Sequence, residues 1–178
     1  CSPAKPHDKR MKAHTPSATA QVVAGSLLCL AHDARHAHLL GDDAANWREH
    51  VMSGSPQTRA LRASAHWAPT RAFWRWLEAH TLPGGMAHYA RRKARIEAHC
   101  QAALAQGAQR VVVLGAGLDT LALRLAPAHP DVPWIELDHP ATQALKRAGL
   151  ARSGQALPPN LHWQAVDLSA PQALRNAL

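Results

Sequence analysis

Glycine and acidic residues follow the predicted strands of this chain in a spacing that suits recognition of a nucleoside. Gly115 and Gly117 come directly after the apolar run 111–114, and two glycines there permit a tight turn whose backbone N–H groups can meet a ligand. Asp138 stands 21 positions after Gly117, close to the spacing at which nucleotide-binding α/β folds place an acid on ribose hydroxyls. Asp167 ends the next predicted strand. A turn without a ligand, with acids that cap helices, is the alternative interpretation.

The residues after the glycine turn indicate which nucleoside the turn would accept. A dinucleotide fingerprint has a third glycine three positions after the second, but position 120 is Thr. Asp119 would also place a negative charge beside a pyrophosphate. A cationic ligand without phosphate tolerates that acid far better. S-adenosylmethionine, which carries a sulfonium, an ammonium and a carboxylate, fits this pattern.

Parallel strands would bring these residues to one edge of a sheet. The β-branched run Val111–Leu114 predicts a strand buried on both faces, and 134–138 and 161–167 predict two further strands. The stretches 120–125 and 141–150 between them predict helices, with Asp119 and Thr120 as caps. This β-α-β-α-β order implies an α/β fold with parallel strands, whose carboxyl ends share one edge.

The first half of the chain predicts helices. Ser17 is suited to cap the first, and a long helix is predicted from Met86 to Gln106. The first half of that long helix carries four basic residues: Arg91, Arg92, Lys93 and Arg95. One of them, near the glycine turn, could bind a ligand carboxylate, and arginine is preferred because its guanidinium binds in a bidentate manner.

Composition excludes several classes of function. None of the 178 residues belongs to an apolar run long enough to cross a membrane. Three widely spaced cysteines support neither a disulfide framework nor a zinc site and favour a cytoplasmic location. The formal charge of +8 is scattered over helices and a basic N-terminal stretch, so we predict a solvated basic surface and no nucleic-acid partner.

Several motifs together resemble the leucine carboxyl methyltransferase family, whose bacterial members are usually described as polyketide-biosynthesis O-methyltransferases. The downstream motifs are Val-Val-Val-Leu-Gly-Ala-Gly-Leu-Asp-Thr at 111–120, Trp-Ile-Glu-Leu-Asp-His-Pro-Ala-Thr at 134–142 and Ala-Val-Asp-Leu at 165–168. The upstream motifs are Ser-Ala-Thr-Ala at 17–20 and His-Tyr-Ala-Arg-Arg-Lys-Ala-Arg-Ile-Glu at 88–97.

This resemblance implies a class I methyltransferase that binds S-adenosyl-L-methionine. By position, Arg92 would pair with the methionine carboxylate of the cofactor, and Gly115 and Gly117 would form the turn against it. Asp138 would accept hydrogen bonds from the ribose, and Asp167 and Leu168 would border the adenine. Arg91 is a rival for the role of Arg92, and Glu136 is a rival for that of Asp138.

The resemblance also implies the reaction and the partners. Methyl transfer would go to a carboxylate or hydroxyl oxygen of a small molecule or of a protein C-terminus. A carboxylate is already ionised at neutral pH and needs no base. A hydroxyl acceptor would need one, and His139 is the nearest candidate.

Composition and residue pattern predict a basic flexible leader at 1–16 and a helical lid or cap segment at 17–85, and the resemblance implies that 86–178 is the first half of a Rossmann-like cofactor-binding domain. Class I sheets have seven strands, so three predicted strands indicate a truncated domain.

Two alternatives remain open: a dinucleotide-binding oxidoreductase half-domain, and an inactive remnant or basic nucleic-acid-binding module.

Overall fold

The structure is a computed structural model that describes residues 15–33, 36–40 and 42–169. The predicted leader at 1–16 lies almost entirely outside these residues. The sequence also predicts a last helix from Ser169 to Leu178, and it lies outside them as well, apart from Ser169. The structured elements, in chain order, are α1 Ala18–Ala31, α2 Asp42–Val51, α3 Pro56–His66, α4 Ala68–Thr81, α5 Gly85–Ala105, β1 Val111–Leu114, α6 Leu121–Leu125, β2 Trp134–Asp138, α7 Pro140–Arg152 and β3 Leu161–Ala165. Within the described ranges, no helix is both long and apolar enough to cross a membrane.

The strands form a parallel sheet in the order β1-β2-β3. Leu114 at the end of β1 lies opposite Leu137, and Asp138 at the end of β2 lies opposite Ala165. The carboxyl ends of all three strands therefore meet at one edge. The predicted α/β fold with parallel strands is confirmed.

Side-chain caps fix where two of the helices begin. The Ser17 Oγ accepts a hydrogen bond from the Ala20 backbone N at 3.2 Å, as the sequence predicts. The Ser17 backbone N donates to Thr142 Oγ1 at 3.0 Å, which ties the start of α1 to α7. Ser55 and Thr58 form a capping box at the start of α3.

Helices α2 and α7 pack at backbone contact distance, which joins the helical half of the chain to the sheet. A Cβ added at Gly149 would lie 2.4 Å from the Val51 carbonyl oxygen. The Ser53 Oγ donates to the Gly149 carbonyl at 2.8 Å. One apolar core contains residues of both halves, among them Leu28 and Trp134. This core therefore contains residues from both sides of the predicted boundary at 85/86.

One expectation about β1 is wrong, because the strand is not buried on both faces. Val112 is 38% exposed and Leu114 is 54% exposed. β1 is an edge strand of the described sheet, and a groove opens beside it. A β-branched run fits a buried strand, but burial also depends on which elements cover it.

Candidate functional site

A groove with a volume of about 680 Å³ lies at the carboxyl edge of the sheet, between α1, α5, β1 and the glycine turn. It is lined by Arg92, Gly115, Gly117 and Asp138. Four of the six predicted cofactor-binding residues therefore come together at one concave surface.

The predicted glycine turn follows β1 directly. Gly115 and Gly117 both adopt left-handed backbone conformations, with φ of 65° and 56°, which residues with a Cβ rarely adopt. The Gly115 N donates to the Leu137 carbonyl at 2.8 Å and thereby joins the turn to β2. A Cβ at Gly117 would lie only 3.2 Å from the Ala20 Cβ of α1. The turn therefore depends on glycine for its dihedral angles, and at Gly117 also for the close approach of α1.

Asp138 connects the end of β2 to the glycine turn. Its Oδ2 accepts a hydrogen bond from the Gly117 N, and its Oδ1 accepts from the His139 N at 2.5 Å. The residue is 8% exposed. Each carboxylate oxygen can accept a second hydrogen bond, so the group is oriented by the backbone and can still accept from a ligand.

Glu136, the rival of Asp138, faces α7 instead. Its carboxylate oxygens lie 2.7 and 2.9 Å from the Lys146 Nζ, and both side chains are 1% exposed. Burial raises the pKa of the Glu136 carboxyl, and the charge of Lys146 opposes that shift. Glu136 is absent from the lining of the groove.

Asp119 directly precedes Thr120, the N-cap of α6, which makes no side-chain capping hydrogen bond, and the Asp119 carboxylate forms an ion pair at the groove. Its Oδ1 accepts from the Thr120 N at 2.7 Å and from the Leu121 N at 3.3 Å. Its Oδ2 lies 2.6 Å from the Lys93 Nζ of α5. Burial alone would raise the pKa of Asp119, but the charges of Lys93 and Lys146 and the hydrogen bonds from Lys93 and Thr120 together hold it below its usual value. Asp119 therefore carries a compensated charge.

The basic residues of α5 divide between two surfaces. Arg92 and Lys93 line the groove. Arg91 and Arg95 line a neighbouring cleft on the outer surface, which Arg92 also reaches. The sequence could not assign Lys93 to Asp119, because the two residues are 26 positions apart.

Arg48 of α2 also lines the groove, and sequence reasoning missed it. The side chain is 2% exposed, and its Nη1 donates to the Ala44 carbonyl at 3.2 Å. Burial lowers the pKa of Arg48 to about 10, while Asp119 opposes that shift and Arg124 adds to it. A single arginine on a short polar helix resembles a surface residue, so no local signal marks it.

Asp167 and Leu168 lie after β3 and outside the groove lining. β3 ends at Ala165, two residues before the predicted end. The Asp167 Oδ1 accepts from the Ser169 N at 2.9 Å and from its Oγ at 2.6 Å. A Cβ at Gly115 would lie 3.8 Å from the Leu168 Cδ1, so Leu168 is a neighbour of the glycine turn.

A second, mainly apolar cavity of about 260 Å³ lies between α1, α3, α4 and α5. Leu61, Trp74 and Met86 are among its walls. Tyr89 of α5 lines both this cavity and the groove. The helical half of the chain thus contributes an apolar cavity next to the groove.

The fold and the groove define an α/β protein with a Rossmann-like parallel sheet and a ligand-sized cleft at its carboxyl edge. The family profile described as leucine carboxyl methyltransferase matches residues 17–178, so the chain belongs to that family. A segment of 63 residues is 40% identical to a Bacillus subtilis (strain 168) protein described as "Putative S-adenosyl-L-methionine-dependent methyltransferase YktD". This match covers 35% of the present chain and 21% of that relative, so it spans about a fifth of the relative's length.

Proposed function

We propose that this chain binds S-adenosyl-L-methionine in the groove beside the glycine turn and serves O-methyl transfer to a carboxylate or hydroxyl acceptor. One observation carries the proposal: the Asp138 carboxylate contacts the Gly117 N, which joins an acidic strand end to a glycine turn at the edge of a parallel sheet. Membership in the leucine carboxyl methyltransferase family supports the same assignment.

The residues present fit this cofactor. Two glycines in left-handed conformations leave the backbone accessible, and Asp138 can still accept hydrogen bonds from the ribose. Arg92, which lines the groove, would pair with the methionine carboxylate. Asp167 and Leu168 would border the adenine from beyond β3. When bound, the cofactor supplies an electrophilic methyl group.

The ion pair of Asp119 limits the negative charge that the groove presents to a ligand. The Lys93 Nζ lies 2.6 Å from the carboxylate, whose side chain remains 22% exposed. The preference for a phosphate-free adenosyl ligand therefore rests more on Thr120 in place of a third glycine and on the family than on the charge of Asp119.

The position of His139 favours a carboxylate acceptor over a hydroxyl. His139 is the N-cap of α7, where its Nδ1 accepts from the Ala141 N at 3.3 Å, and the residue is 8% exposed. A side chain engaged in this way is poorly placed to take a proton from a substrate. For an ionised acceptor, the protein needs only to position the attacking oxygen. The apolar cavity next to Tyr89 would hold an apolar part of such an acceptor.

Calorimetric titration of the 178-residue chain with S-adenosylhomocysteine, compared with NAD, tests the proposal. We expect the chain to bind S-adenosylhomocysteine and to prefer it over NAD. Asp138→Asn should weaken binding by about 10- to 100-fold, because a hydrogen bond to a charged acceptor contributes about 1.5–3 kcal/mol. Asp131→Asn, on the exposed loop before β2, is the matched control and should bind as the native chain does.

Preference for NAD would favour the oxidoreductase alternative, and binding of neither ligand would favour an inactive remnant. Equal affinity of the Asp138→Asn and native chains would remove Asp138 from the site. Circular dichroism of each variant checks that the fold is retained.

A further inference from the structure

Two histidines and a glutamate converge where three helices meet, outside the lining of the groove. His32 is the C-cap of α1, Glu49 lies near the end of α2, and His66 is the last residue of α3. The His66 Nε2 lies 2.7 Å from the Glu49 Oε1, and the His32 Nε2 lies 3.5 Å from the same oxygen. One possible ligand atom from each residue therefore falls within 4.8 Å of the other two.

We infer that this His32–Glu49–His66 cluster binds one Zn²⁺ ion through both Nε2 atoms and the Glu49 Oε1. Imidazole nitrogen and carboxylate oxygen are common zinc ligands, and two histidines with one glutamate form a known three-residue set that leaves the fourth position to solvent. With metal–ligand bonds of about 2.0–2.1 Å, the ligand atoms of a tetrahedral site are about 3.3 Å apart. The separations of 2.7 and 3.5 Å lie on either side of that value.

The hydrogen bonding of Glu49 supports a metal over a simple ion pair. The Oε1 atom is shielded from solvent, yet none of the described residues gives it a partner in hydrogen-bond geometry. This holds although the His66 Nε2 lies so close. The short contact with His66 therefore does not satisfy the Glu49 Oε1 as a hydrogen bond would, and this oxygen can still bind a cation.

The two imidazole rings are close enough to share one ion. Their centroids lie 4.3 Å apart. An imidazole binds Zn²⁺ through the lone pair of one ring nitrogen, so a single ion can use both rings together with the carboxylate oxygen between them.

The site would lie outside the lining of the cofactor groove, which includes Arg48 but none of the three proposed ligands. His32 follows the last turn of α1, and Ala20, next to the glycine turn, lies in the first turn. The two residues are 12 positions apart, which corresponds to about 18 Å along a helix. A metal at the cluster would fix the ends of α1, α2 and α3 together and stabilise the helical half of the chain.

Zinc titration of the EDTA-treated full chain by isothermal calorimetry tests the inference. We expect one site that is lost or weakened at least about tenfold in His66→Gln, His32→Gln and Glu49→Gln. His99→Ala, which removes an exposed histidine of α5, is the control and should leave the site intact. The chain has 13 histidines, so weaker binding elsewhere is expected, and only binding that depends on the three residues counts.

Two further readouts separate a metal site from an ion-pair cluster. Zn²⁺ should raise the melting temperature of the native and His99→Ala chains but not that of His66→Gln. Co²⁺ should give the visible absorption of a low-coordinate site only where all three ligands are present. If the three variants bind Zn²⁺ as the native chain does, or if the native chain binds none, the cluster is an ion pair and the inference is wrong. Circular dichroism of the metal-free variants establishes that they fold.

Discussion

A lysine–carboxylate ion pair lies on the α7 side of the sheet and another on the β1 side, but the two pairs differ in burial and in what surrounds them. On the α7 side, Lys146 and Glu136 are each 1% exposed, and the Gln143 Nε2 donates to the backbone carbonyls of both β2 and β3. On the β1 side, Lys93 and Asp119 are 26% and 22% exposed and line an open groove. One pair completes a packed interior, and the other leaves space for a ligand. The partner of each acid therefore distinguishes Glu136, which pairs with a buried lysine, from Asp119, which pairs with a lysine at the groove.

Removing the lysine from each pair should give the largest difference between the two sides. Lys146→Met leaves the Glu136 carboxylate buried without a counter-charge, and we expect a loss of about 3–5 kcal/mol in the free energy of unfolding at pH 7. Lys93→Met should cost about 1 kcal/mol, because Asp119 keeps its backbone hydrogen bonds and contact with water. Urea denaturation monitored by circular dichroism measures both.

The double variant Glu136→Gln, Lys146→Met is the control for this comparison. It removes both charges and should recover much of the loss, since the penalty comes from the unpaired buried carboxylate. Equal losses for Lys146→Met and Lys93→Met would contradict the proposed contrast between the two sides.

Glycine-to-alanine substitutions test how tightly the α7 side is packed. Gly149→Ala places a methyl group 2.4 Å from the Val51 carbonyl oxygen and 2.8 Å from that of His50. Backbone must move to admit it, so we expect a loss of about 1–3 kcal/mol. Gly25→Ala, also inside a helix, meets only ordinary contacts at 3.7 and 3.9 Å. It should stabilise the chain by up to about 1 kcal/mol through helix propensity.

Thermal unfolding of the two alanine variants reports these differences. They share the same chemical change, so a difference in melting temperature isolates the close approach of α2 and α7. If Gly149→Ala leaves the melting temperature unchanged, α2 and α7 pack less closely than the structure shows.

The sequence predicted the sheet edge well, because the signals there are local. The strand bounds at Trp134–Asp138, the glycine turn and the Ser17 cap all follow from residue type and short spacing, and the structure has them. The local sequence did not determine which of the two acids of β2 faces the groove. Glu136 and Asp138 lie two apart on one strand, and only the position of Lys146 on α7 separates their surroundings.

The sequence missed what long-range packing decides. Arg48 lies at the groove because α2 packs between α7 and α6, a placement that no spacing within α2 encodes. The exposure of Val112 and Leu114 was missed for the same reason, because the residues of a strand do not determine which other elements pack over it. Pairing of Lys93 with Asp119 requires α5 to pass the glycine turn in one particular register.

The smallest predicted effect concerns the acid dependence of the β1 side. The pKa of Asp119 lies below its usual value, so its ionised form stabilises the fold above the unfolded-state pKa of about 3.9. That contribution is lost as the pH falls from about 4 through the lower folded-state pKa. Asp119→Asn can still accept the backbone hydrogen bonds at the start of α6 but lacks the charge facing Lys93, so it should be less stable by about 1 kcal/mol at pH 7. Urea denaturation from pH 7 down to pH 3 should show this gap narrowing only at the acid end, whereas Asp131→Asn, on an exposed loop, should follow the native curve throughout. If the difference in free energy of unfolding stays constant with pH, the charge of Asp119 does not contribute to stability, and the ion pair with Lys93 beside the groove does not stabilise the fold.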